Sequence, residues 1–209
     1  MTECDPVKIS ERIISLFPGN FPEGRRSSDP FQILISTVLS QRTRDENTFA
    51  ASKALFSQYP DCDSLSDITT DDIKYLIRPA GMFNQKAKNI ISISKIIKEK
   101  YGGVVPEKLE QLLELPGVGR KTANIVLFAG FGVPALAVDT HVHRISNRLG
   151  WIKTKNPEES EFELMKVLPE NLWGPINVSM VDFGRNICRP QRPLCEKCEF
   201  TSCCDFFKM

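Results

Sequence analysis

One stretch of the chain carries residue types that could do chemistry on a sugar–phosphate backbone. Residues 115–141 read LPGVGRKTANIVLFAGFGVPALAVDTH, in which Lys121 follows a Pro-Gly-Val-Gly turn and Asp139 lies 18 residues farther on. Glycines allow a tight turn and a close approach to a ligand, and the N–H groups at a helix N-terminus bind phosphate. A lysine and an aspartate beside such a turn suggest chemistry on a nucleic acid.

Lys121 and Asp139 each have a simpler interpretation as well. As a nucleophile, the neutral amine of Lys121 would attack C1′ of a damaged nucleotide, expel the base and form a Schiff base that permits β-elimination. A free lysine has a pKa of about 10.4, so the helix N-terminus and desolvation would have to lower it. Otherwise Lys121 contacts a phosphate or solvent. Asp139 would take a proton in the reaction and stabilise the positively charged sugar, or would cap the next helix, or both.

The turn of Gly117, Val118 and Gly119 between two predicted helices also allows two interpretations. Its N–H groups could clamp a DNA phosphate, a contact that positions a protein without reading sequence. The alternative is a purely structural turn, which is the commoner role of glycine and proline.

The cysteines form a second group with chemical potential. Five of the seven fall in the last 22 residues, and four of them follow the pattern Cys188-x6-Cys195-x2-Cys198-x5-Cys204. Four thiolates so close in sequence can hold a [4Fe–4S] cluster or a zinc ion, and in a reducing compartment they favour metal binding over disulfides. Cys203 is left out of this set, and Cys4 and Cys62 stand apart from it.

The composition excludes several classes of protein. The hydrophobic share of 41% and charged share of 25% are ordinary for a soluble globular protein of 209 residues. No apolar run approaches the roughly 20 residues that span a bilayer, and the N-terminus lacks the features of a signal peptide. We therefore expect an intracellular protein of the cytoplasm or nucleoid, with a monomer as the default. The net charge of +1 neither favours nor excludes DNA binding.

The hydrophobic periodicity predicts an all-α fold, because no segment alternates like a strand for long. Asp29-Pro30 predicts the start of a helix with one buried face, and residues 122–129, apolar nearly all round, predict a central buried helix. Polar residues 24–28 predict a linker. Further helices are predicted at 7–17, 45–57, 70–77, 84–101, 107–114, 140–149 and 173–187, with one starting at Asn156-Pro157.

LPGVGRKTAN followed by VDTH resembles the helix-hairpin-helix, Gly-Pro-Asp DNA glycosylase superfamily, and within it the endonuclease III family, over roughly residues 31–204. The resemblance implies a bifunctional DNA glycosylase and abasic-site lyase that removes oxidised pyrimidines from duplex DNA, with Lys121 and Asp139 as catalytic residues. It also implies a [4Fe–4S] cluster on the four patterned cysteines. Two helical domains are expected: a six-helix domain at 22–134 and a cluster domain from 1–21 and 135–209, with the lesion site in the cleft between them.

The resemblance extends to residues expected to contact DNA. Gln41, in LSQRT, matches a glutamine that enters the gap left by a flipped nucleotide, and Met82, in AGMFNQKA, falls where the family has an apolar wedge, usually leucine. Gln41 could equally be a helix-end polar residue, and Met82 a core residue. His141 resembles a cleft histidine. Arg189 and Arg192 would form a basic phosphate-binding loop, or else a solvated one.

Two rival functions stay open at this point. One is a monofunctional mismatch or adenine glycosylase, although those branches carry a different residue where Lys121 stands. The other is a non-enzymatic DNA-binding or redox-signalling protein that uses the hairpin and the iron–sulfur cluster alone.

Overall fold

The structure is a computed structural model that describes residues 4–19 and 29–208. Within these ranges it contains helices and no strand, which confirms the all-α prediction. The predicted linker at residues 24–28 lies outside the described residues. The helices are α1 Pro6–Leu16, α2 Pro30–Ser40, α3 Asp45–Gln58, α4 Cys62–Ser66, α5 Thr70–Lys74, α6 Phe83–Tyr101, α7 Leu109–Leu113, α8 Arg120–Phe131, α9 Thr140–Arg148, α10 Pro157–Val167, α11 Glu170–Asn186 and α12 Asp205–Lys208.

The chain divides into two compact units. One is Phe21–Val133, which we call the hairpin unit, and the other combines Met1–Asn20 with Pro134–Met209, which we call the terminal unit. The hairpin unit therefore contains α2 to α8, and the terminal unit contains α1 and α9 to α12. No helix of the described residues has the length and apolar character needed to cross a membrane.

Helix α2 is the centre of the hairpin unit, where α3, α6 and α8 pack against it. The Asp29 side chain accepts a hydrogen bond from the Phe31 N–H at 2.9 Å, and Pro30 occupies the first helical position. The prediction of one buried face was wrong, because Phe31 and all of residues 33–39 are buried. Three neighbouring helices enclose α2, and its small Ser36 and Thr37 fit inside. The predicted central burial of residues 122–129 is confirmed for residues 122–127 of α8.

The buried face of α3 is not marked by its large side chains. Phe49 and Lys53 are exposed, whereas Ala51, Ser52 and Leu55 are buried. Because α3 packs directly on α2, small side chains at the contact bring the two helices close together.

In the terminal unit, α1 packs on α11, and α9 packs on α10, α11 and α12. Helix α11 begins at Glu170, three residues before the predicted start, and it continues through Pro175. Proline is tolerated in the first turn of a helix and disfavoured farther inside it, and the predicted start at 173 would have kept Pro175 in the first turn. The apolar core of this unit is formed by side chains from α1, α9, α10 and α11, among them Ile13, Val142, Ile145, Leu164, Ile176 and Met180.

Candidate nucleic-acid interface and cysteine pocket

The turn between α7 and α8 has a backbone that only glycine fits at one position. Gly117 has φ +77°, and a Cβ built there would lie 2.2 Å from Nδ2 of Asn89. The Val118 N–H donates to the Leu115 carbonyl at 3.1 Å and closes the turn. Gly119 is the N-cap of α8 and provides no side-chain cap. The first N–H groups of α8 therefore emerge at a bare glycine, a geometry suited to a phosphate.

Lys121 is the second residue of α8, and its side chain is exposed. The residues that follow it, 122–127, are buried and anchor the helix in the hairpin unit. The helix thus presents Lys121 at its positive end, directly after the turn. Asp139 belongs to the terminal unit.

Asp139 is the N-cap of α9. Its Oδ1 atom accepts hydrogen bonds from the N–H groups of His141 and Val142, both at 2.9 Å, and the residue is half-buried. The capping interpretation is therefore confirmed. Oδ2 takes no part in this cap, so the cap and a role in proton transfer are compatible. The catalytic role of Asp139 stays a prediction.

The structure brings Gln41 to the hairpin. Gln41 follows α2 directly, and its side-chain Nε2 donates to the Gly117 carbonyl at 2.8 Å and to Oγ1 of Thr122 at 3.3 Å. Met82 precedes α6 with φ +45° and is 57% exposed. That exposure excludes the alternative of a core residue for Met82. Insertion of either side chain into DNA stays a prediction.

Lys86 is a buried residue that the sequence analysis did not single out. It is 4% exposed, and its Nζ donates to the carbonyls of Leu39, Gln41 and Ala80 and to Oγ1 of Thr43 at 2.7–2.8 Å. Burial lowers the pKa of Lys86 to about 8. A signal was present in the sequence, because Lys86 shares a helical register with the buried residues Ile90, Ile93 and Ile97 of α6.

The four patterned cysteines line one pocket of the terminal unit. Cys188, Cys195, Cys198 and Cys204 face this pocket together with Arg148, Thr201 and apolar side chains. Cys203 lies elsewhere, since it forms a disulfide with Cys4. Cys4 therefore stands apart from the four patterned cysteines, and its pairing with Cys203 was not predicted. The fold brings the start of α1 beside the C-terminal segment, a proximity that 199 residues of separation hide in the sequence.

Two thiols of this pocket, those of Cys195 and Cys198, have a pKa above the ordinary thiol value. Burial raises the pKa of Cys195 and of Cys198, and charge on the other cysteines would raise both further. The Cys204 thiol donates to the Arg148 carbonyl at 3.2 Å, so it points to a local partner. Among residues 4–19 and 29–208, no three His, Cys, Asp or Glu side chains are arranged to hold a metal ion. The residues suit a thiolate-bound metal or cluster in their chemistry, because all four thiols line one pocket and thiolate is the ligand that such groups prefer.

His141 has a packing role in α9. Its Nδ1 lies 3.2 Å from an Nη atom of Arg144, and a Cβ added at Gly184 of α11 would come within 2.5 Å of the same Nδ1. The glycine thus makes room for the imidazole where α9 meets α11. The predicted DNA contact of His141 stays a prediction beside this structural role.

Arg189 and Arg192 are exposed in the segment after α11. The backbone of that segment is held by Arg148, whose guanidinium donates to the carbonyls of Arg189 at 2.7 Å and Pro190 at 2.9 Å. The guanidinium also lies over the Phe206 ring, 4.3 Å from its centroid. Arg148 therefore orders the basic segment and leaves its two arginine side chains at the surface.

Comparison with known proteins places this arrangement in context. Residues 35–170 match the HhH-GPD family, described as an HhH-GPD superfamily base excision DNA repair protein. The chain is 62% identical over 201 residues to Endonuclease III of Thermotoga maritima, which covers 96% of this chain and 92% of that protein.

Two solved structures are also similar. A non-covalent Endonuclease III–DNA complex has a TM-score of 0.88 at 36% identity, over 96% of this chain and 94% of that one. A trapped Endonuclease III–DNA covalent intermediate has a TM-score of 0.85 at 35% identity, over 95% and 93%. The chain belongs to the HhH-GPD superfamily of base excision DNA repair proteins and, within it, to the endonuclease III family of DNA glycosylases with abasic-site lyase activity.

Proposed function

We propose that Lys121 is the nucleophile of this DNA glycosylase and abasic-site lyase. The observation that carries the proposal is its position: an exposed amine in the first turn of α8, directly after the hairpin glycines, with a buried run behind it. The helix N-terminus beside the amine favours both a nearby phosphate and loss of the ammonium proton. A relative 35% identical was solved as a trapped covalent DNA intermediate, which supports a covalent route here.

In the proposed reaction the neutral Lys121 amine attacks C1′ of the damaged nucleotide. The C1′–N bond breaks, its electron pair leaves with the base, and the base takes up a proton. Opening of the sugar gives an iminium, which makes the C2′ proton acidic. Loss of that proton drives β-elimination, which breaks the C3′–O3′ bond and releases the 3′ phosphate. Asp139 moves protons in these steps through Oδ2, while Oδ1 keeps its cap on α9.

We infer that the substrates are oxidised or ring-saturated pyrimidines in the duplex DNA of the nucleoid, bound by a monomer. The target nucleotide must leave the base stack before C1′ is accessible. The exposed Met82 is suited to act as an apolar wedge in the base stack. The polar Gln41 is suited to enter the gap that the flipped nucleotide leaves. The hairpin of Gly117, Val118 and Gly119 would hold a phosphate of the same strand.

We infer that Cys188, Cys195, Cys198 and Cys204 hold a [4Fe–4S] cluster, which would make the predicted cluster domain the terminal unit. The shared pocket and the all-thiol donor set support this assignment. When bound, the cluster cross-links the segment that carries Arg189 and Arg192. Zinc is the competing metal, since four thiolates also satisfy it.

Borohydride trapping on a duplex with one oxidised pyrimidine tests the proposed nucleophile. Borohydride reduces a Schiff base to a stable amine, so the native protein should form a covalent DNA adduct. Lys121→Gln should form none while its DNA affinity is retained. Lys53→Gln, the same change at an exposed lysine of α3, is the matched control and should trap like the native protein.

Three other results would change the assignment. Base release that leaves an intact abasic strand and gives no adduct would indicate a monofunctional glycosylase, with Asp139 activating water. Full trapping by Lys121→Gln would assign the nucleophile to a different amine. Neither trapping nor base release on any pyrimidine lesion would favour a DNA-binding role without catalysis.

A further inference from the structure

Lys86 is a buried charged residue that the proposed mechanism does not use. Its amine has three N–H donors and lies within 2.8 Å of four oxygens, which belong to Leu39, Gln41, Thr43 and Ala80. All four partners are carbonyl or hydroxyl oxygens, so the ammonium binds backbone segments and forms no ion pair with them. A buried lysine is retained where its hydrogen bonds offset the loss of solvation.

The four oxygens come from two separate loops of the hairpin unit. Leu39, Gln41 and Thr43 belong to the end of α2 and the turn after it, whereas Ala80 lies two residues before Met82. The Thr43 hydroxyl is also within hydrogen-bond distance of the carbonyls of Gln41 and Ala80. One ammonium and one hydroxyl thus join the loop of Gln41 to the loop of Met82.

Both loops have a backbone conformation that needs support. Arg42 has φ +51° and Met82 has φ +45°, values in the left-handed region that residues other than glycine rarely adopt. Such conformations persist when surrounding contacts enforce them, and they concentrate at sites that bind ligands. Lys86 supplies such contacts close to both strained positions: it binds the carbonyl of Gln41, which directly precedes Arg42, and the carbonyl of Ala80, two residues before Met82.

The side chain of Gln41 is hydrogen-bonded to the hairpin through Gly117 and Thr122. To enter DNA it must leave these partners, whereas its backbone carbonyl is held by Lys86. The side chain can therefore exchange protein partners for DNA partners on a fixed backbone. Preorganisation of this kind reduces the entropy lost on binding.

We propose that Lys86 is a positioning residue for extrusion of the damaged nucleotide: by joining the two loops, it fixes the spacing between Gln41 and Met82 at which both side chains enter the duplex. This inference rests on the proposed insertion roles of Gln41 and Met82. It assigns no contact with DNA to Lys86 itself, whose amine is enclosed by protein.

Lys86→Met tests the inference, because methionine keeps the length and the apolar packing while it removes the ammonium. Single-turnover base release from a paired lesion should fall about 10–100-fold, the effect expected of an inserted group displaced by about an ångström. Trapping on a preformed abasic site, which has no base to extrude, should change by less than about threefold. Fluorescence of 2-aminopurine opposite the lesion should lose most of its rise on binding. Lys95→Met, an exposed site on the same helix, should match the native protein in all three assays.

A second variant set separates a positioning role from a general loss of structure. In a Gln41→Ala, Met82→Ala background, Lys86→Met should reduce base release by less than about threefold further, because residues that act as a unit are not additive. An equal loss in both backgrounds, or an equal loss on lesion and abasic DNA, would overturn the inference. If the Gln41→Ala, Met82→Ala protein itself releases base normally, the proposed insertion roles fail. Absence of base release by the native protein would instead contradict the choice of substrate.

Discussion

The Gln41 side chain donates a hydrogen bond to the carbonyl of Gly117, 2.8 Å away, and so connects the turn after α2 with the α7–α8 hairpin. Two regions that contact DNA in our proposal are thus in direct contact before any DNA arrives. Gly117 is at the same time the residue with φ +77° and no space for a Cβ. Small changes at Gly117 should therefore affect the hairpin and Gln41 together.

Gly117→Ala should destabilise the protein by about 1–3 kcal/mol and weaken DNA binding, because the added methyl group combines left-handed strain with a clash on Asn89. Thermal melting and a binding titration measure the two effects. Adding Asn89→Ala should restore part of the stability, since it removes the clash and leaves the strain. Gly119→Ala is the control, with φ −95° and open space at its Cβ. Equal losses at both glycines would contradict the stated cause.

Asp139→Asn should separate helix capping from catalysis. Asparagine caps helices about as well as aspartate, so the unfolding free energy should stay within about 0.5 kcal/mol of the native value. Base release should fall about 10²–10⁴-fold, because the amide cannot accept the proton. Asp139→Ala should lose the cap as well, at about 0.5–2 kcal/mol.

Asp5→Asn is a matched control for that experiment. Asp5 caps α1 by accepting a hydrogen bond from the Val7 N–H at 2.8 Å, so it has the same structural role in the same unit. Its substitution should leave base release unchanged. Normal activity in Asp139→Asn would mean that Asp139 is a cap and nothing more.

Cys198→Ser should lose bound iron and the brown colour of an iron–sulfur cluster, because it removes one of the four pocket thiols. Cys203→Ser should keep the iron, since Cys203 is bonded to Cys4 and does not line the pocket. Cys62→Ser, at a buried thiol of the hairpin unit, is a second control. Iron, zinc and visible absorbance measured on each purified variant decide the outcome. One zinc per colourless native protein would exclude the cluster.

Replacing Arg189 and Arg192 with alanine should weaken DNA binding equally for damaged and undamaged duplexes, because phosphate contacts carry no sequence information. Each lost contact should reduce the slope of log affinity against log salt by about 0.9. The change should leave folding intact, as both side chains are exposed. An unchanged salt slope would identify the segment as merely solvated.

The effect of Lys86→Met should depend on pH. Burial lowers the pKa of Lys86 to about 8, so the amine is charged below that pH and becomes neutral as the pH rises through it. The neutral form has two N–H donors and a lone pair that faces oxygens, and its hold on the loops weakens. The ratio of native to Lys86→Met base release should therefore decrease towards one between about pH 7 and 9. A constant ratio would show that the charge on Lys86 does not matter.

The sequence predicted well where a residue's role is local. Asp29-Pro30 and Asn156-Pro157 predicted helix starts that the structure confirms. These predictions succeeded because a cap and a first-turn proline act on residues close in sequence. The spacing of Cys188, Cys195, Cys198 and Cys204 predicted residues that do share a pocket. The start of α11 was predicted three residues too late, because a start at 173 keeps Pro175 in the first turn, whereas the helix has Pro175 in its second turn.

Features that depend on distant partners were beyond the reach of the sequence. Lys86 resembles any surface lysine until the carbonyls of Leu39 and Ala80 are brought around it. The burial of α2 depends on α3, α6 and α8, which all come later in the chain. The pairing of Cys4 with Cys203 requires both chain ends in one unit, which periodicity does not reveal.

The Cys4–Cys203 bond closes residues 4–203 into a covalent ring, and this ring includes the whole hairpin unit. The chain passes between the two units twice, near residues 20 and 133, and a single break at either crossing opens the ring without dividing it. On a denaturing gel, protein cleaved once at either crossing would therefore migrate as one species without reductant and as two fragments after reduction. The bond keeps α1 attached to the terminal unit even after such a nick.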